Sequence, residues 1–290
     1  MEESQNKTYA NSPVNKVDKV PMTMIRPARG WASLNLSELW KHRDLLYFFT
    51  WRDIKLRYKQ TLLGFAWAIL QPFLAMIIFS LFFGGLAQIS SNDIPYPVFV
   101  YSALLSWTLF AESCNRSTAS MVANANIIQK VYFPRIALPL SSVMSPLVDF
   151  AIAFTILIAM MAYFGIIPTI NVIFLPLFVL MASITSLGVG LWLSALNVQY
   201  RDFQYVVPFM VQIWMFASPV VYPASLVPES YQLLYGLNPM VGVIEGFRWA
   251  LFGTPMPGMI TIASVFISLT LLVTGLLYFT RVEKTFADTV

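Results

Sequence analysis

The chain has 290 residues, 58% hydrophobic and only 11% charged, with a mean hydropathy of +0.68 and a formal net charge of +4. Soluble domains carry about 25% charged residues, so this composition excludes a disordered chain and an ordinary soluble enzyme. The single cysteine, Cys114, excludes an internal disulfide, and with the single His42 it leaves no zinc-binding set.

Residues 1–34 are polar, contain Pro13, Pro21 and Pro27, and read as a flexible cytosolic tail without the apolar core of a signal peptide. Residues 35–61 read as an amphipathic interfacial helix. Asn35 and Glu38 have the spacing of a capping box. Leu36, Trp40, Tyr47, Trp51, Ile54 and Tyr58 recur at helical steps, with Arg52, Lys55, Arg57 and Lys59 among them. Such a stripe beside a basic face suits the membrane interface. A cytosolic helix packed on a partner is the alternative.

A helix of about 20 apolar residues crosses a bilayer. Six such runs follow, which defines an all-α integral membrane protein with a transmembrane domain over 62–280. The first, 62–87, has no charge and a Gln71–Pro72 step that suggests a kink. The second, 98–121, carries Glu112 and Arg116 on one helix face. The third, 137–164, has Asp149 about halfway along; the fourth covers 169–196, the fifth 203–221 and the sixth 259–279. Polar connectors lie at 88–97, 122–136 and 197–205. The long connector at 222–258 contains Asn238, Glu245 and Arg248. Its apolar part, 236–253, is too short and too charged for a span and reads as short re-entrant helices. Residues 281–290 form a charged cytosolic tail.

Of the 18 basic residues, 17 fall on one side of this arrangement and only Arg248 on the other. The positive-inside rule then puts both termini in the cytosol. Basic residues placed beside spans point to lipid headgroups, so no nucleic-acid partner is expected.

No G-x-x-x-x-G-K-[ST] loop, G-x-G-x-x-G turn, H-E-x-x-H or G-x-S-x-G elbow occurs, so no catalytic site is expected in this chain. Intramembrane charges are functional candidates by default. Glu112 and Arg116 form a structural pair or line a conduit; Asp149 serves a pore, an interface or a bond to a partner residue. The chain also holds 23 Phe, 13 Tyr and 8 Trp. Tyr101, Trp107, Trp214 and Tyr222 are candidates for stacking on a sugar chain, and interfacial belts are the competing use.

Four stretches carry a resemblance. WRDIKLRYKQTLLGFAWAILQP at 51–72 is similar to a basic interfacial helix that runs into span one. NIIQKVYFPRIALPLSSV at 126–143 and NVQYRDFQYVVPF at 197–209 resemble the connectors before spans three and five. SPVVYPASLVP at 218–228, followed by LNPMVGVIEGFRWALFG at 237–253, completes the set. In this order they resemble the permease subunit of ABC-2 type exporters for polysaccharides and polyol phosphates, including O-antigen, capsule and teichoic acid exporters.

The resemblance implies a homodimer with two copies of a separate ABC ATPase, which would hold ATP and Mg2+; no cofactor is expected in this chain itself. It implies a lipid-linked glycan as cargo, usually on undecaprenyl diphosphate, moved out across the inner membrane. Asn126, Gln129, Lys130, Tyr132 and Arg135, with Arg201 and Asp202 nearby, would receive the ATPase movement. Arg52, Lys55, Arg57 and Lys59 would meet a lipid phosphate or the membrane surface. Competing readings are an ABC-2 exporter of a drug or small lipid, a proton-coupled secondary transporter using Glu112 and Asp149, and a membrane-embedded transferase.

Overall fold

The computed structural model describes residues 40–59, 64–256, 258–283 and 286, and every regular element among them is helical. Apolar runs without water to bond their backbones must satisfy every N–H and C=O internally, and a helix does this within one segment. The predicted capping box at Asn35 and Glu38 lies outside the described residues.

Helix α1 is Arg43–Lys59, 17 residues. Helix α2, Gly64–Phe79, runs through Pro72 and widens into a π-helical stretch, Ser80–Leu86. Helix α3, Tyr96–Ala123, is the longest at 28 residues. A single turn α4, Ala125–Ile128, leads into an irregular segment at 129–136. Helices α5, Ala137–Met144, and α6, Pro146–Tyr163, form one apolar rod jointed at Ser145. Pro146 has no N–H to offer the preceding turn and starts the next helix at its first position. The joint places Asp149 in the first turn of α6, where the helix dipole favours a carboxylate.

A 3-10 turn, Ile170–Phe174, leads into α7, Leu175–Gln199. Then come α8, Phe203–Phe216; α9, Glu229–Tyr235; α10, Pro239–Phe252; and α11, Gly258–Val282. Four stretches are long and apolar enough to cross a membrane: Ala66–Leu86, Ala137–Tyr163, Ile170–Gln199 and Gly258–Val282. Helix α3 has the length, about 42 Å at 1.5 Å per residue, with a more polar composition. The predicted fifth span is shorter than expected. Its helix stops at Phe216 after 14 residues, and Ser218, Pro219 and Pro223 carry the chain on without one.

Helix α3 is the central post. Val98, Phe99, Val100 and Tyr101 are all fully buried, so consecutive residues on every side of the helix meet protein. It packs on α2, α5, α6, α7, α8 and α10. Buried Ser102, Ser106, Ser113, Ser117 and Ser120 keep its surface narrow where neighbours approach. The pair α7 and α11 is packed just as closely. A Cβ on Gly188 would stand 2.6 Å from the Leu272 backbone nitrogen, so only glycine fits. Thr185 and Ser268 share a hydrogen bond of 2.8 Å, and Trp192 stacks on Tyr278 at 4.3 Å between ring centroids.

Candidate functional site

Charges from three helices converge beside the start of span one. The Arg57 guanidinium of α1 lies 2.5 Å from an Asp149 carboxylate oxygen and 3.5 Å from Glu112. Arg116 Nε donates to the same Glu112 at 3.2 Å. Tyr58 donates its hydroxyl to the other Asp149 oxygen. Burial first, then the hydrogen bond to Asp149, raises the Tyr58 phenol well above its usual range, so it remains a proton donor. Two carboxylates and two guanidinia make a neutral hub. A small cavity of about 30 Å³, room for a water, adjoins it and is lined by Trp67, Gln71 and Thr108 together with Arg57, Glu112 and Asp149 of the hub.

The Glu112–Arg116 pair follows directly from its i,i+4 spacing. Arg57 and Tyr58 were not anticipated as its partners, although one signal was available. Glu112, Arg116 and Asp149 together leave one negative charge over, and a buried excess charge requires another cation. Of the four basic residues assigned to lipid phosphate, Arg57 is thus bound to protein. So is Arg52, which donates to Asn124 Oδ1 at 2.8 Å and to Asp53 at 2.8 Å. Lys55 and Lys59 are exposed.

The segment between α3 and α5 lies against α1. Asn124 closes α3; Asn126, Gln129, Lys130 and Tyr132 are exposed, while Ile128 and Phe133 are buried. Phe133 packs on Phe49 of α1 at 5.5 Å. The Arg135 amide donates to the Glu283 carboxylate at 3.2 Å, and its guanidinium donates to the Glu283 carbonyl. Arg201 and Asp202 are exposed in the turn before α8. Phe49, Glu283 and Phe286 were not anticipated at this place; they lie far from it in sequence.

Helix α10 is buried almost throughout. Asn238 caps it by accepting from the Met240 amide, and the left-handed Gly253, φ 71°, ends it. Asn238 also donates to Ser218 and accepts from Trp214 Nε1 at 3.0 Å. Arg248 is only 1% exposed. It donates to Glu245 at 2.8 Å and to the Val220 carbonyl at 3.1 Å, and sits 3.5 Å from the Phe99 ring centroid. Glu245 in turn accepts from the Ala224 amide. The three polar residues therefore sew the 217–224 turn onto α10. Tyr235 donates to Tyr222 at 3.0 Å, and burial, followed by that bond, raises the Tyr235 phenol.

The four stacking candidates divide by exposure. Tyr101 is fully buried and donates to the Ala153 carbonyl, and Trp107 is buried against Trp214 and Phe110. Trp214 and Tyr222 are half-buried.

The sequence profile of the ABC-2 type transporter family matches residues 44–252, a stretch that contains the hub, the connector and the network around α10. An O-antigen export system permease protein of Myxococcus xanthus is 31% identical over 223 residues, covering 76% of this chain and 85% of the relative. One from Klebsiella pneumoniae is 29% identical, covering 84% and 94%. A polysialic acid transport protein of Escherichia coli is 29% identical, covering 80% and 91%. With the profile spanning most of the chain and the relatives matched over nearly their whole length, this protein belongs to the ABC-2 type transporter family.

Proposed function

We propose that the chain is the permease subunit of an ATP-driven exporter that carries a lipid-linked polysaccharide from the cytosolic to the outer side of the cytoplasmic (inner) membrane. The cargo class is O-antigen on undecaprenyl diphosphate. The observation that carries this reading is the full-length similarity to O-antigen export permeases, 94% of the relative's length in one case. Similarity to a polysialic acid transport protein supports capsule polysaccharide as the second reading.

In this proposal the domain at 62–280 crosses the membrane six times, counting α3 and α8 with the four long apolar stretches, and both termini are cytosolic. The region 35–61 lies in the interface, and α9 and α10 are the re-entrant pair at the outer face. Two copies of the chain assemble with two copies of a separate ATPase, where ATP and Mg2+ bind. ATPase closure pushes on Asn126, Gln129, Lys130, Tyr132 and Arg135, with Arg201 and Asp202 beside them, and the spans shift between states of different access. The exposed side chains of the 126–132 stretch support this role, since an ATPase can reach them. Trp214 and Tyr222 are the better placed of the aromatic candidates for sugar contact, because each keeps part of its ring uncovered.

The test is deletion of the gene followed by assay of lipid-linked glycan on both sides of the membrane. Cytosolic accumulation with loss of surface polymer, restored by the gene, is expected. Normal surface display in a strain without a second exporter would overturn the proposal.

A further inference from the structure

We infer that Glu283 and Phe286, beyond the end of the sixth predicted span, are positioning residues of the coupling segment and make α11 part of the path along which ATPase movement travels. This rests on the function proposed above, and extends it to residues that follow the sixth span.

The argument starts from the segment itself. Residues 129–136 form no helix or strand, so their backbone has no ladder to stiffen it. A segment that receives a push must nevertheless move with its neighbours, or the stroke is spent bending it. Contacts from elsewhere supply the stiffness, and they grip the connector near both ends. Near its start, Arg52 of α1 holds Asn124 at 2.8 Å. At its end, the Arg135 amide donates to the Glu283 carboxylate at 3.2 Å, and the guanidinium donates to the Glu283 carbonyl. The guanidinium also lies 6.0 Å from the centre of the Phe286 ring. Phe286 is fully buried and meets Phe279 of α11 edge-on at 5.4 Å.

Phe286, Phe133 and Phe49 belong to one buried cluster that also takes in Leu191 and Val198 of α7. Through it the connector is joined to α1, α7 and α11, as well as to α3 and α5 by chain continuity. Helices α7 and α11 are locked by the Gly188 contact and the Trp192–Tyr278 stack. A displacement at Arg135 is therefore delivered to a rigid pair and not to a loose strand. A residue with only a stabilising role would have no reason to affect how much export each ATP yields.

The experiment uses Phe286→Ala, Phe286→Leu and Glu283→Gln in the complete permease–ATPase complex. ATP hydrolysis is measured in proteoliposomes, and surface polymer in the complemented deletion strain, each normalised to the complex present. For Phe286→Ala we expect the ATPase to co-purify as with wild type, and export per ATP hydrolysed to fall about three- to tenfold. Leucine should restore most of it by refilling the pocket. Glu283→Gln keeps the backbone carbonyl contact and should fall less than Phe286→Ala. An unchanged export-to-hydrolysis ratio in Phe286→Ala overturns the inference, as does a loss of export strictly proportional to loss of folded complex. Wild-type protein that neither binds the ATPase nor restores surface polymer would instead overturn the proposed function.

Discussion

Removing one charge from the hub tests whether its four side chains act as a unit. Arg57 and Asp149 retain side-chain exposures of 23% and 12%, so their pairing belongs between the surface and the deeply buried regimes. Breaking a fully buried pair from one side costs about 3–5 kcal/mol, and an exposed pair about 1 or less. We therefore expect about 2 kcal/mol for Arg57→Met or Asp149→Asn. Cys114 gives a direct readout, because it is buried and lies on α3 between Glu112 and Arg116. A thiol-reactive dye reaches it only when this region opens. A loss of 2 kcal/mol raises the open population about 30-fold, and the labelling rate with it when closing outpaces labelling. The double variant removes one charge of each sign and leaves the hub neutral, so its rate should stay close to that of either single variant. A double-variant rate equal to the product of the two single effects would mean that Arg57 and Asp149 are independent, and would refute the reading of the hub as one coupled set.

Three further outcomes follow from the packing. Arg248→Met leaves Glu245 buried without its cation and should cost about 3–5 kcal/mol, seen as loss of monodisperse protein in size-exclusion chromatography; adding Glu245→Gln should restore much of it. Gly188→Ala forces α7 away from the Leu272 backbone and should destabilise the protein by about 1–3 kcal/mol, measured as a lower thermal midpoint. Tyr132 is 71% exposed, so Tyr132→Ala should leave stability within about 0.5 kcal/mol, while the amount of ATPase that co-purifies falls.

The parts of this fold that were legible are those governed by local physics. Apolar runs without charge had to become helices, and Glu112 with Arg116 had to share a face, because each rule involves residues within a turn or a span. What escaped reading depends on residues distant in sequence. Tyr58 meets Asp149 across 91 positions and Arg52 meets Asn124 across 72, and no periodicity encodes such meetings. The fifth apolar run shows a different limit. Hydropathy sees 203–221 as continuous, yet α8 ends at Phe216. Asn238 donates to the Ala217 carbonyl at 3.1 Å and supplies from afar the partner that another helical turn would have offered. The segment at 236–253 stood apart from the spans by its two charges, but the use made of them was not legible. Glu245 and Arg248 hold a turn in place rather than facing outward.

The basic helix α1 illustrates how one sequence feature divides between two physical tasks. Its cations look alike in a hydropathy or charge profile. In the structure Arg57 is docked in the hub and Arg52 on Asn124, while Arg43, Lys55 and Lys59 are exposed. The chemistry of the guanidinium suits Arg52 and Arg57 to their docked places. A guanidinium offers five donors in a planar fork and can bridge two acceptors at once, as Arg52 bridges Asp53 and Asn124; an ammonium is a hydrated point charge on a flexible stem. Arg52 and Arg57 therefore fix where α1 sits against α3 and α6. In the function proposed above, the exposed Lys55 and Lys59 are the ones that meet anionic headgroups, at about 1 kcal/mol each near a charged leaflet. The position of α1 thus depends on guanidinium geometry and not on charge alone, so exchanging Arg57 for Lys should disturb the hub even though the charge profile is unchanged.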